Sequence, residues 1–215
     1  MIIHSLPVTD RETWLTWRKA DVTASDVAAV FGLHPWKTPL QLWAEKTGVG
    51  SDTVENAAMR RGRWLEDAVI AACRDKHPDW QIEKPGLYLR APDYRLGATP
   101  DALAGNTVIQ CKTVADRAFK ASWADGPPVH YQLQAMTEAM LMQAERAMLA
   151  VLIISPYGAD YQEYEVPRHT AAEARILAGV PDFWRKIERG EMPKPEYSAD
   201  ADLLAKIHAP DGSKP

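Results

Sequence analysis

Met148-Leu149-Ala150-Val151-Leu152-Ile153-Ile154 is an uninterrupted apolar run inside the segment 147–155. It is far shorter than the roughly 20 residues that cross a membrane. Its length and its share of Val and Ile read as a strand buried on both faces, which places it centrally in a sheet. Tyr161 to Val166 alternates and pairs naturally with it. Upstream, 86–90, 95–98 and 107–112 are short, turn-bounded segments that read as strands of a meander. Helical grammar surrounds them. A helix is expected over 10–19 behind an Asp10 cap, and another from Thr23, with Thr23 and Asp26 spaced as a capping box and Gly32 closing it. Thr38 caps a third helix that has Pro39 at its first position and Gly48 at its end. Longer helical patterns run from about Val54 to Lys76, where His77-Pro78 stops them, and over 115–123, 129–144 and 171–189. Helices, a block of strands, a helix and more strands predict an α/β fold, a mixed β-sheet flanked by helices.

The 215 residues are 46% hydrophobic and 25% charged, close to globular averages, and show no repeat or low-complexity tract. One domain over 1–215 is expected, with N-terminal helices to about residue 50, a core over about 54–190 and a Pro-rich tail over 193–215. No membrane segment or secretory leader is read at Met1, and two cysteines, Cys73 and Cys111, fit a reducing, cytoplasmic setting better than a disulfide framework. The six histidines show no i, i+4 pairing, so zinc is not expected. With 25 basic and 29 acidic residues the formal charge is −4, and any polyanion site must be local. Arg60, Arg61 and Arg63 are one candidate; alone they read equally well as a solvated helix face, with Glu66 an ordinary i, i+3 partner of Arg63.

Chemistry concentrates at two strand ends. Pro100-Asp101 closes one strand, and nine residues on Gln110-Cys111-Lys112 closes the next. Residues i and i+2 of a strand share a face, so Gln110 and Lys112 point one way and Cys111 the other. An Asp, an oxygen acceptor and a Lys then converge. Metal-assisted phosphodiester hydrolysis needs such a set: hard oxygen ligands for Mg²⁺ and a cation beside the attacking water. Glu66 adds a second carboxylate if its helix crosses the strand ends.

Asp101, Gln110 and Lys112 resemble the PD-(D/E)xK signature of the restriction-endonuclease-like nucleases. Four further segments sharpen the likeness: Trp17 to Val27, Gly62-Arg63-Trp64-Leu65-Glu66, Gly97 to Leu103, and Tyr131-Gln132-Leu133-Gln134. In order and spacing they resemble the lambda-exonuclease-like YqaJ viral recombinase family. The resemblance implies a restriction-endonuclease-like core and a Mg²⁺-dependent exonuclease that degrades the 5′-ended strand of double-stranded DNA and leaves 3′ single strands for recombination by strand annealing. It implies two Mg²⁺ per active site, with Mn²⁺ a substitute, a homotrimer, double-stranded DNA ends as substrate and a single-strand annealing protein as partner. Carried over by position, Glu66, Asp101 and Gln110 hold metal, Lys112 assists the attacking water and Gln132 completes the site. Arg18 and Ser25 grip the 5′ phosphate and Met59 wedges the terminal base pair. Arg60, Arg61, Arg63, Arg117 and Lys120 are candidates for contact with DNA, and Trp36, on the 32–39 loop, for stacking on a base.

One position departs from the pattern: the family has a carboxylate where this chain has Gln110. A Gln oxygen can ligate Mg²⁺ but carries no charge. Either the enzyme tolerates a neutral ligand, or the glutamine replaces a glutamate as its isostere. A structure-specific or restriction-type endonuclease on the same core, and a catalytically weakened DNA-end-binding protein, are the competing readings.

Overall fold

The computed structural model describes residues 1–49 and 56–208. Its strands are β1 (His4–Pro7), β2 (Val22–Thr23), β3 (Ile82–Glu83), β4 (Leu87–Ala91), β5 (Leu96–Ala98), β6 (Ala102–Ala104), β7 (Thr107–Ala115), β8 (Arg146–Ser155) and β9 (Gly158–Pro167). Its helices are α1 (Arg11–Ala20), α2 (Val27–Val30), α3 (Pro39–Thr47), α4 (Ala57–Lys76), α5 (Asp116–Ser122), α6 (Val129–Met142), α7 (Thr170–Glu188) and α8 (Tyr197–Ile207).

The apolar run forms β8, in a five-stranded sheet of order β3-β6-β7-β8-β9. It is parallel to β7 and antiparallel to β9. A parallel neighbour requires a crossover, and α5 and α6 make it. Alternate residues of β8 serve opposite layers. Ala147, Leu149, Val151 and Ile153 pack with Ala135, Met136 and Ala139 of α6. Met148 and Ala150 pack with Val69, Ile70 and Cys73 of α4. Both faces are therefore dry, which is why the sequence is apolar without alternation. On β7 the same division puts Val108 on the α6 side and Ile109 on the α4 side.

The expected meander is instead shared between two sheets. β4 and β5 pair in a second, four-stranded sheet of order β1-β4-β5-β2, whereas β6 and β7 belong to the first. The chain changes sheets at Thr99-Pro100-Asp101, where Pro100 has no N–H to give to a ladder. Alternation in the sequence revealed strands but not their partners. Gly97 is required here: a Cβ on it would lie 2.0 Å from the Tyr88 hydroxyl. Tyr88 is buried and donates to Asp21 (3.1 Å), at the end of α1.

The second helix differs from expectation. Residues Ala24–Asp26 form a 3-10 turn followed by the single turn α2. The Thr23 hydroxyl donates to the Asp26 carboxylate (2.8 Å) and caps no backbone N–H, and Asp26 is itself engaged by Lys37 and Lys46. The full capping box occurs at Thr38 and Gln41, with Pro39 following the cap and Gly48 left-handed at the end. Asn56 caps α4; residues 54 and 55 of the expected helix lie outside the described residues.

The tail is not merely extended, since α8 folds back onto α3. Buried Asp200 accepts from the Thr38 hydroxyl (2.7 Å), and Gln41 donates to the Ala199 carbonyl (2.9 Å). Val22, Val27 and Leu42 share one core with Ile176, Val180, Phe183 and Trp184 of α7. Among the described residues no helix is long and apolar enough to cross a membrane.

Candidate active site

β7 delivers Gln110 and Lys112 to its α6 face, and the corner between the two sheets delivers Asp101 beside them. Asp101 Oδ2 accepts from the Cys111 backbone N–H (2.8 Å) and from the side-chain amide of Gln110. Gln110 Oε1 accepts from Gln134 Nε2 (3.0 Å), and Gln134 Oε1 accepts from the Lys112 ammonium (2.9 Å). Gln134 Nε2 also reaches Glu138 Oε1 at 3.0 Å. A polar chain thus runs from Asp101 through Gln110 and Gln134 to Glu138, with Lys112 bonded to its middle. The Lys112 ammonium lies 4.8 Å from the centre of the Tyr131 ring.

Burial pushes the Asp101 carboxyl up to about 6; Lys112 opposes the rise and Glu66 adds to it. Glu138, only 1% exposed, is raised well above the usual carboxylate range by burial and by the charge of Asp101. These shifts mark a site whose charges are set close together in a dry environment, as sites of chemistry commonly are.

Glu66 approaches from the other layer. α4 anchors on the sheet through Val69, Ile70 and Cys73, and Glu66 lies one turn before Ile70. Its charge is felt at Asp101 and at Cys111, and its carboxylate is paired with Lys84 (2.7 Å). Gln132 is not brought to Lys112. Its amide donates to the Pro127 carbonyl (2.6 Å), and Gln134, two residues on in the same motif, takes the place beside Lys112. Residues i and i+2 of a helix do not share a face, so a two-residue offset decides which amide points inward.

Gln134 and Glu138 are the side chains that sequence reasoning missed. The signal was available: a carboxylate one turn after an amide, in a stretch whose other residues, Thr137 apart, are the apolar Ala135, Met136, Ala139, Met140 and Leu141.

The donor set suits a hard divalent cation. Asp101, Glu66, Glu138 and the Gln110 amide offer oxygen donors. Glu138 Oε2 is buried with no hydrogen-bond partner among the described residues, the kind of uncompensated atom that a cation satisfies. Gln110 turns its nitrogen, not its oxygen, toward Asp101. Among the described residues no three His, Cys, Asp or Glu side chains already close on one point, since the two amides stand between Asp101 and Glu138.

Arg18 and Ser25 do meet, at 3.5 Å. Ser25 Oγ also lies 2.9 Å from Thr23 Oγ1. Lys37 and Lys46, unnoticed in the sequence, sit behind them on buried Asp26 (2.8 and 3.3 Å), and Lys46 donates to the Arg18 carbonyl (2.9 Å). Trp14 ties this cluster to the corner that carries Asp101. The Arg18 guanidinium stands over its ring at 4.6 Å, and its indole N–H donates to Thr99 (3.0 Å), two residues before Asp101. Arg18 is near enough to hold down the Glu138 carboxyl in part.

The other candidates lie around this centre. Met59, 52% exposed, Arg60, Arg61 and Arg63 lie in the first two turns of α4, and Arg61 is felt at Tyr131. Arg117 and Lys120 are exposed on α5, with Lys120 paired to Asp116 (2.8 Å). Trp36, 70% exposed, stands edge-on to His130 with ring centres 5.2 Å apart.

The family model described as the YqaJ-like viral recombinase domain matches residues 13–145, a stretch that contains every candidate residue from Arg18 to Glu138. The chain is 28% identical over 204 residues to the uncharacterized protein YqaJ of Bacillus subtilis, which spans 91% of this chain but 62% of that protein. The chain therefore accounts for less than two thirds of that relative's length. Its fold is similar to that of an alkaline exonuclease from Laribacter hongkongensis, at a TM-score of 0.66 and 23% identity over 84% of this chain and 94% of that one. It is also similar to a phage related exonuclease from Haemophilus somnus, at 0.59 and 13% over 79% and 96%. At these identities the likeness establishes a shared fold.

Proposed function

This chain belongs to the YqaJ-like viral recombinase domain family, and on that premise we propose that it is a metal-dependent exonuclease acting on the ends of double-stranded DNA. The observation that carries the proposal is the joining of two half-sites by one side chain. Trp14 links the Arg18–Ser25 cluster to Thr99, and Thr99 leads into Asp101 at the head of the Asp101–Gln110–Gln134–Lys112 chain. An anion grip beside a carboxylate-and-lysine centre suits a phosphorylated end. The exonuclease names of the structural relatives agree with this reading.

In this reading Glu66, Asp101 and position 110 would hold Mg²⁺, or Mn²⁺ in its place; bound there, the metal supplies acidity to a water and charge for the phosphodiester oxygens. Lys112 holds its ammonium where the attacking water and developing negative charge would lie, oriented by Gln134. Arg18 presents a fork of donors to the terminal 5′ phosphate and Ser25 adds a hydroxyl. A phosphate fixed there sets which strand enters the centre, and so gives 5′-to-3′ polarity, leaving 3′ single strands for a strand-annealing partner. Met59 wedges the terminal pair. Arg60, Arg61, Arg63, Arg117 and Lys120 track the backbone.

A specific observation favours a second reading. Neutral Gln110 removes one negative charge from the expected ligands, as a protein that binds ends without cutting them would allow. Linear duplex labelled at either end, and the same duplex as a closed circle, incubated with Mg²⁺ and with chelator, separate the readings. The proposal expects loss of the 5′ label first, an intact circle and no activity in chelator. A cut circle would make the protein an endonuclease, and two intact substrates with end binding retained would make it a binding module.

A further inference from the structure

We propose that Glu138, on α6, supplies to the metal-holding centre the negative charge that position 110 lacks. This rests on the nuclease reading above and names a residue that it does not include.

The placement is direct. Gln134 Nε2 donates to Gln110 Oε1 and to Glu138 Oε1, at 3.0 Å each, so the two oxygens share one donor and lie no further apart than twice that distance. Glu138 thus stands beside the side chain where the family pattern has its carboxylate. Burial provides the second, independent observation. Glu138 is 1% exposed, and its Oε2 finds no partner among the described residues. Ala135, Ala139 and Leu141, around it on α6, are buried too, so an apolar side chain would satisfy packing at lower cost. A carboxylate kept here, aimed at Gln134 and Gln110 with one oxygen uncommitted, has a use for that oxygen.

Burial and Asp101 raise the Glu138 carboxyl, Lys112 and Arg18 oppose the rise, and Glu66 is shared with Lys84. With Gln110 neutral, Asp101 and a Lys-paired Glu66 would face a divalent cation with little negative charge to spare. Glu138 restores a third carboxylate to the centre from a helix instead of from the strand.

The test measures metal uptake without DNA. Mn²⁺ binding to the full chain is followed by calorimetry, and by the Mn²⁺-induced rise in Tm, for the natural sequence, Glu138→Gln, Gln110→Glu and the double variant. Glu138→Gln keeps the shape and removes the charge, and Mn²⁺ binding should weaken about tenfold or more. Gln110→Glu in the Glu138→Gln background should recover most of it. Equal Mn²⁺ affinity in the natural chain and a folded Glu138→Gln overturns the proposal, as does a double variant no better than Glu138→Gln. Should Glu138→Gln fail to fold, Glu138→Leu, which fills the same buried space without a charge, takes its place with and without Gln110→Glu, and a folded Glu138→Leu with the Mn²⁺ affinity of the natural chain overturns the idea. A natural chain that takes up no Mn²⁺ and leaves linear duplex intact overturns the nuclease reading together with this one. A natural chain that binds Mn²⁺ and degrades duplex, beside a Glu138→Gln that binds equally, overturns this inference alone.

Discussion

At the scale of single residues, the clearest division of labour is between Lys112 and Arg18. Lys112 is bonded to Gln134 and faces Tyr131, with no part in the Arg18–Ser25 cluster. Lys112→Ala should therefore lower turnover on linear duplex by about 10²–10³-fold, the usual cost of removing one charge-stabilising group. Duplex-end affinity in Ca²⁺ should change little, and an equal loss in both would place Lys112 in binding. Arg18→Ala should do the reverse and slow 5′-phosphorylated ends far more than 5′-hydroxyl ends. If both substrates slow by the same factor, Arg18 does not hold the phosphate. Gln110 and Lys112 were legible in the sequence because strand alternation is a fixed two-residue rule, and Asp101 because Pro100-Asp101 marks a strand end. Gln134 was not, because its motif offers two glutamines and only the phase of α6 decides between them. Glu138 lies outside every motif: its place one turn after Gln134 was the single hint in the sequence, and burial makes it plain.

Among elements, the sheet corner that carries Asp101 depends on close packing at Gly97. Gly97→Ala drives a methyl into buried Tyr88 and should cost about 1–3 kcal/mol, the usual penalty for overpacking. Gly62, within α4, has nothing within 4 Å of an added Cβ, and Gly62→Ala should instead gain up to about 1 kcal/mol from helix propensity. Thermal melts of the two variants should shift in opposite directions; a stable Gly97→Ala would mean that Tyr88 moves freely. The loop behind Ser25 makes a pH-dependent prediction. Burial pushes the Asp26 carboxyl up, but the ammonium groups of Lys46 and Lys37 outweigh it and hold the group well below the usual carboxylate range. A depressed native value stabilises the fold above the unfolded-state value near 3.9, and the stabilisation is lost as pH falls below it. Asp26→Asn, which leaves Lys46 buried beside a neutral group, should cost about 3 kcal/mol at pH 7 and progressively less below about pH 4. Urea unfolding across that range checks it, and a cost independent of pH would refute it. The spacing of Thr23 and Asp26 suggested a helix cap because the residue types are those of a cap, yet the same carboxylate serves the lysines. Similarly, α8 was hidden because a short segment after Pro193 and Pro195 is helical only through its contacts with α3.

For the whole molecule the charge pattern is the constraint. A net charge of −4 repels DNA, while Arg60, Arg61 and Arg63 on α4 and Arg117 and Lys120 on α5 are exposed. Attraction confined to such patches holds a duplex weakly if one subunit meets it from one side. A ring of three subunits would turn these patches inward and leave the acidic remainder facing solvent, which is the physical case for the homotrimer that the family resemblance implies. Neither assembly nor channel was readable from periodicity, which reports what faces a chain's own core and not what faces another copy. Light scattering at working concentration should give the mass of three chains, with and without DNA, and the mass of one chain in both conditions would refute the ring. The same geometry sets the salt response of duplex affinity. Each phosphate neutralised contributes about one unit to the slope of log affinity against log salt. Arg61→Ala and Arg117→Ala, placed once per subunit, should each be felt up to three times around a ring, so each substitution should flatten the slope by more than the roughly one unit expected when a single subunit grips the duplex. A loss of one unit or less would leave these arginines contacting DNA from one subunit at a time, without a shared channel.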